Sequence, residues 1–173
     1  MIGFESPFYI GTAKLKENRL YLTQNAIIVF SVGKLTIKAF ARAGAEWDGL
    51  SVPNPFQGIF PRYKEGDRFY NAIGFIHDLI FSKSGKTEDV VPRQISYSDA
   101  NEFLHEHLNQ WLKMEGRCSI SAAILSALAC RAVNLPFVKR KHWGNDRLGL
   151  SGKCEMWEAD KINVVEDLPF YAI

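Results

Sequence analysis

The chain has 173 residues, of which 47% are hydrophobic and 23% charged, with a formal net charge of +2. This composition excludes a largely disordered chain, and the length suffices to bury roughly two thirds of the unfolded surface in one core without a metal or disulfide. The balance of charge is too mild to imply a concentrated basic face, so nucleic acid is not expected as a partner.

Cys118, Cys130 and Cys154 are odd in number and widely spaced, with neither zinc-ligand nor disulfide spacing. They read as reduced thiols of a cytoplasmic protein. The N-terminus carries Glu5 and no basic region ahead of a long apolar segment, so it does not read as a secretory signal. The longest apolar helix candidate is interrupted by Ser121, Ser126 and Arg131 and is too short for a bilayer, so no membrane insertion is expected.

Between residues 8 and 52 the segments FYIGTAKL, RLYLTQ, AIIVFSV and KLTIKAFA are short, rich in β-branched and aromatic residues, and separated by turn-forming pairs such as Gly33-Lys34. They predict a small antiparallel sheet. The next stretch, AGAEWDGLSVPNPFQGIFP, contains too many Gly and Pro for a long regular element and reads as an aromatic loop with Phe56 and Phe60 exposed.

The remainder reads as helical. Residues 68–81, RFYNAIGFIHDLIF, are apolar on nearly every side and predict a helix buried on most of its circumference, capped by Asp67 and ended by Ser84-Gly85-Lys86. Residues 98–114 predict a second helix with Leu104, His107, Leu108, Trp111 and Leu112 on one face, stopped at Gly116. Residues 120–134 predict a third, with Ser119 as N-cap and Ile124, Leu125, Leu128 and Val133 toward the core, halted by Pro136. The fold class expected is α+β: an N-terminal sheet packed on about three helices, the first of them central. Residues 1–143 form one domain in this reading, and 144–173 an extension lying over the core, anchored by Met156, Trp157 and LPFY.

Chemistry concentrates in three short motifs: Trp47-Asp48-Gly49-Leu50-Ser51-Val52-Pro53 in the loop, His77-Asp78 in the buried helix, and Ser98-Asp99 at the start of the next. A carboxylate in so apolar a helix requires a hydrogen bond, a cation or a metal to offset its desolvation. Asp48, His77 and Asp99 are of the types that bind a divalent ion such as zinc, manganese or iron, which would activate water. Alternatively Asp78 or Asp48 orients His77 as a general base, with Ser51 as nucleophile or substrate contact. The bland readings are a satisfied buried His77-Asp78 pair, a tight turn at Asp48-Gly49, and a helix cap at Asp99. His105 and His107 are two apart and do not form the i, i+4 ligand pair of a metalloprotease helix.

With these motifs quoted, the chain resembles a family of small phage and prophage proteins known as domain of unknown function 1353. That family's pattern is an Asp-Gly-x-Ser-x-Pro loop, an apolar helix carrying His-Asp, a helix opening with an acid, and a small-residue helix leading to Gly or Trp. Asp48, Gly49, Ser51 and Pro53 match the first part, His77 and Asp78 the second, Asp99 the third, and Arg131, Ala132, Val133 and Trp143 the last. Trp47, where the family often has Thr, and Ser98, in place of a small apolar residue, depart from it. The resemblance implies a phage or prophage origin and a shared site at Asp48, His77, Asp78 and Asp99; it transfers no activity. Metal-dependent phosphohydrolases also use a His-Asp pair but require a further upstream His, and none precedes His77.

Two functions follow as expectations. One is a metal-assisted hydrolase of the bacterial cytoplasm, with Asp48, His77 and Asp99 on the ion and Asp78 orienting His77 or acting as base. The other is a non-enzymatic phage accessory, virion or host-interaction protein, with the same residues as a buried network and the aromatic loop as the surface that meets a host or virion protein.

Overall fold

The computed structural model describes residues 1–13, 19–50, 52, 54–89, 92–146 and 149–159. A four-stranded antiparallel sheet has the order β1 (Ile2–Phe4), β4 (Ala26–Val32), β5 (Leu35–Ala41), β7 (Cys154–Glu158). A three-stranded sheet has the order β2 (Ile10–Ala13), β3 (Arg19–Leu22), β6 (Glu46–Trp47), also antiparallel. The helices are α1 (Arg68–Ser82), α2 (Tyr97–Met114), α3 (Ser119–Val133), α4 (Pro136–His142) and α5 (Leu150–Lys153). The α+β architecture expected from the sequence is the one observed, and no helix among the described residues is long and apolar enough to cross a membrane.

The sheet is specified by alternation. Ala26, Ile28, Phe30 and Val32 of β4 are buried and the residues between them are not, which places one face on the core. Phe30 meets Phe103 of α2 edge-on at 5.7 Å. The segment expected as an extension over the core instead supplies β7, a strand of the main sheet paired with β5 through Ala39↔Met156. Met156 is buried as expected, whereas LPFY lies outside the described residues.

Helix α1 runs through the middle. Asp67 caps it, Oδ1 accepting from the Tyr70 backbone at 2.8 Å, while Oδ2 accepts from the Trp111 indole of α2 at 2.7 Å. Gly85, in the left-handed region, closes its end by donating to the Ile80 carbonyl. Phe75 packs on Trp47 at 5.0 Å and on Phe8 at 5.5 Å, and this locks the loop after β6 against the helix.

Three expectations are corrected. The aromatic loop turns Phe60 fully inward against Trp111, and Phe56 is half-buried, because the short turn at Asn54–Phe56 folds the loop back on the core. On α3 the residues facing the core are Ala122, Ser126, Ala129, Cys130 and Val133, while Ile124 and Leu128 are exposed. A helix apolar on every side carries no periodicity to orient it; the small residues face α2, where they permit close packing. The N-cap of α3 is Cys118 rather than Ser119, and its side chain makes no capping bond.

Candidate functional site

Asp48 leaves β6 into a segment held by two devices. Leu50 donates its backbone N–H to the Arg62 carbonyl at 2.9 Å, and Gly49 adopts φ +82°, which favours glycine. Beneath them lies Gly74 of α1, where a Cβ would stand 3.1 Å from the Leu50 nitrogen. The absence of a side chain at Gly74 lets the segment lie directly on the helix. Asp78 is four residues further on and so projects from the same face, which brings it to Asp48.

The two carboxyl groups hydrogen-bond to each other. Such a bond requires a proton, because two ionised carboxylates are acceptors only and repel. Burial first, then the negative charge of Asp48, hold the Asp78 carboxyl well above its ordinary pKa of 3.8, so Asp78 carries the proton and donates it to Asp48. Asp48 is exposed and the Asp78 side chain keeps 21% of its surface, so the pair opens outward.

His77, beside the pair, is 4% exposed. Its ring packs on Phe81, one turn along, at 4.2 Å. Phe81 meets Tyr97 at 5.3 Å and Trp143 at 5.1 Å, so aromatic side chains from α1, α2 and the end of α4 wall the imidazole. Burial lowers the His77 pKa to about 4, against the opposing influence of the Asn101 side chain and Asp48; His142 adds to the lowering. The ring is therefore neutral at pH 7, and its Nδ1, 3.7 Å from Asp78 Oδ1, forms no ion pair there. Nε2 of His77 and Oδ1 of Asn101 are both buried without a hydrogen bond of full geometry, although the amide lies beside the ring. Asn101 is oriented by its Nδ2, which donates to the Tyr97 carbonyl at 2.8 Å.

Asp48, His77 and Asp78 are thus brought together. Asp99 is engaged elsewhere: its Oδ2 accepts from the Ser96 backbone at 3.1 Å and the Ser96 hydroxyl at 2.7 Å, closing a capping box at the start of α2. Among the described residues no three His, Cys, Asp or Glu side chains are grouped so as to hold a metal ion, so Asp48, His77 and Asp99 are not gathered as the ligand set expected. Ser51, expected as nucleophile or substrate contact, lies outside the described residues.

The sequence reading missed Asn101 and His142. Asn101 lies i+4 from Tyr97 on the buried face of α2, a signal available in the apolar pattern around it. His142 carried no such signal, and only the fold brings it near His77. The site offers a carboxyl that holds a proton beside a carboxylate that can accept one, the two groups general acid–base chemistry requires. Comparison of the chain with family models, with curated proteins and with solved structures gives no match.

Proposed function

We propose that Asp48 and Asp78 are the acid–base pair of a hydrolase, in a protein of the phage or prophage kind that the sequence motifs resemble. What supports this reading is the juxtaposition of the two carboxyl groups: Gly74 lets the Asp48 segment lie on α1 one turn from Asp78, whose carboxyl is held well above its ordinary pKa by burial and by the charge of Asp48. Asp48, exposed, takes a proton from an attacking water as the new bond to the substrate forms; Asp78 delivers its proton to the leaving group. His77, sealed and neutral against Phe81, takes no part in the proton transfers. A divalent cation, if bound here, would be held by Asp48 and Asp78 and would supply Lewis-acid activation of water; an all-oxygen donor set would suit manganese better than zinc.

The test is hydrolysis of phosphoester, peptide and glycan panels by the wild type, Asp48→Asn and Asp78→Asn. Thermal melts and the elemental metal content of each protein, purified without chelator, accompany it. Turnover that falls by about a hundredfold or more in both folded variants is the expected result, the usual scale for a lost acid or base. Turnover unchanged in both folded variants, or no turnover on any panel, would overturn the reading.

A second reading, an accessory protein that binds a host or virion partner, is favoured by a different observation. Ile120, Ile124 and Leu128 form one i, i+4, i+8 stripe along α3, exposed by 75%, 54% and 43%. Wild type that pulls down one defined host or virion protein, when Ile124→Gln/Leu128→Gln does not, would establish it.

A further inference from the structure

A cleft of about 270 Å³ lies between α2 and α3, apart from the Asp48–Asp78 pair. Its walls are one face of each helix, at i, i+3, i+4 and i+7 on both, and its hollow exists because Ala127 stands where a larger side chain would fill it. Asn101 and Cys130 are buried at its base. At the lip Glu102 of α2 and Arg131 of α3 are both exposed, carry opposite charges, and have no ion-pair or hydrogen-bond partner among the described residues. His105 also lines the cleft, and its Nε2 is buried without a partner.

We infer that this cleft binds a small zwitterion carrying an ammonium and a carboxylate, a free amino acid or a dipeptide. The guanidinium of Arg131 presents a planar fork that fits a carboxylate, and Glu102 accepts from an ammonium. The lining holds one formal charge of each sign, so an anion alone is attracted by Arg131 and repelled by Glu102, and a cation alone meets the reverse. Only a ligand with both signs is matched at both walls. The volume is roughly nine times the share of one water in the liquid, which admits an amino acid or dipeptide and no folded partner.

The test is an NMR titration of the whole chain with glycine, glutamate and diglycine, beside N-acetylglycine, which lacks the ammonium, and glycinamide, which lacks the carboxylate. Saturable shifts confined to α2 and α3 are expected for at least one zwitterion, and whether the amino acids or the dipeptide bind more tightly identifies the source. Each blocked ligand is expected to bind about ten- to a hundredfold more weakly, the scale of one lost charged hydrogen bond, and Arg131→Gln and Glu102→Gln to have the same effect. Both positions are exposed, and the blocked ligands test the same contacts without any substitution. No saturable binding of any zwitterion at millimolar concentration, equal binding of the blocked forms, or affinity unaltered by both variants would overturn the proposal.

Discussion

Gly74 and Leu50 meet backbone to backbone: a side chain on Gly74 would place its Cβ 3.1 Å from the Leu50 nitrogen and 3.2 Å from the Gly49 carbonyl carbon. Gly74→Ala therefore sets two effects against each other. Alanine favours a helix interior over glycine by up to about 1 kcal/mol, whereas forcing a methyl group into a filled site costs about 1–3 kcal/mol. The neighbours are backbone atoms, one of them bonded to Arg62, and cannot rotate aside. The variant is expected to be destabilised by about 1 kcal/mol in urea unfolding, with the Asp78 carboxyl titrating lower as Asp48 is lifted from it. A more stable Gly74→Ala would mean that the segment is not seated on α1.

Asp78 makes stability depend on pH in an unusual direction for a carboxyl group. Its folded pKa is raised, so its contribution is complete below the ordinary value of 3.8. As the pH rises the unfolded chain ionises while the folded chain keeps its proton, and the contribution is lost progressively until the folded pKa is passed. Asp78→Asn is neutral at every pH and retains a donor for Asp48. Its melting temperature relative to wild type is expected to rise as the pH climbs above about 4, until the folded pKa is passed. Parallel curves for the two proteins would show that Asp78 is ionised in the fold.

The histidines act in the opposite sense. His77 and His107 are both buried and both lowered from 6.5 to about 4 by desolvation; His107 Nδ1 donates to the Phe103 carbonyl at 2.8 Å. A depressed histidine stabilises the fold above pH 6.5, and that stabilisation is lost as the pH falls toward 4, on the order of 3 kcal/mol for each ring. Wild type is expected to weaken across this window despite the gain from Asp78, since two rings outweigh one carboxyl. In His107→Gln about half of the histidine contribution disappears, so unfolding on acidification begins at lower pH. An unchanged acid midpoint would place the loss elsewhere.

What the sequence made legible follows from where periodicity is unambiguous. β4 alternates cleanly, β5 is a short run of β-branched and apolar residues bounded by a Gly-Lys turn, and α2 separates apolar from charged residues at 3.6 spacing, so their limits were readable to within a residue or so. Asp67 and the Ser96–Asp99 capping box were visible as local patterns because capping is local. β7 was not visible, since Cys154–Glu158 becomes a strand only by pairing with β5 across more than a hundred residues of chain. At the site, His77 and Asp78 stood out because charge inside an apolar run is conspicuous. Their different surroundings did not: His77 packs on Phe81, and Asp78 meets Asp48, which depends on the absent side chain of Gly74.

Helix α3 offers the sharpest separation between the sequence reading and the structure. If Ile124 and Leu128 faced the core, replacing either by a polar residue would cost about 2–5 kcal/mol, as large-to-small core changes do. Both are instead exposed, so Ile124→Gln and Leu128→Gln, which keep good helix propensity, are each expected to alter stability by no more than about 0.5 kcal/mol. Ala129 is fully buried on the opposite side, toward α2, and Ala129→Leu is expected to cost about 1–3 kcal/mol by forcing the helices apart. Urea midpoints of the three variants decide the matter. Strong destabilisation by the glutamines with tolerance at Ala129 would mean that α3 is rotated about its axis from the arrangement described, and that the cleft walled by Glu102 and Arg131 is not formed.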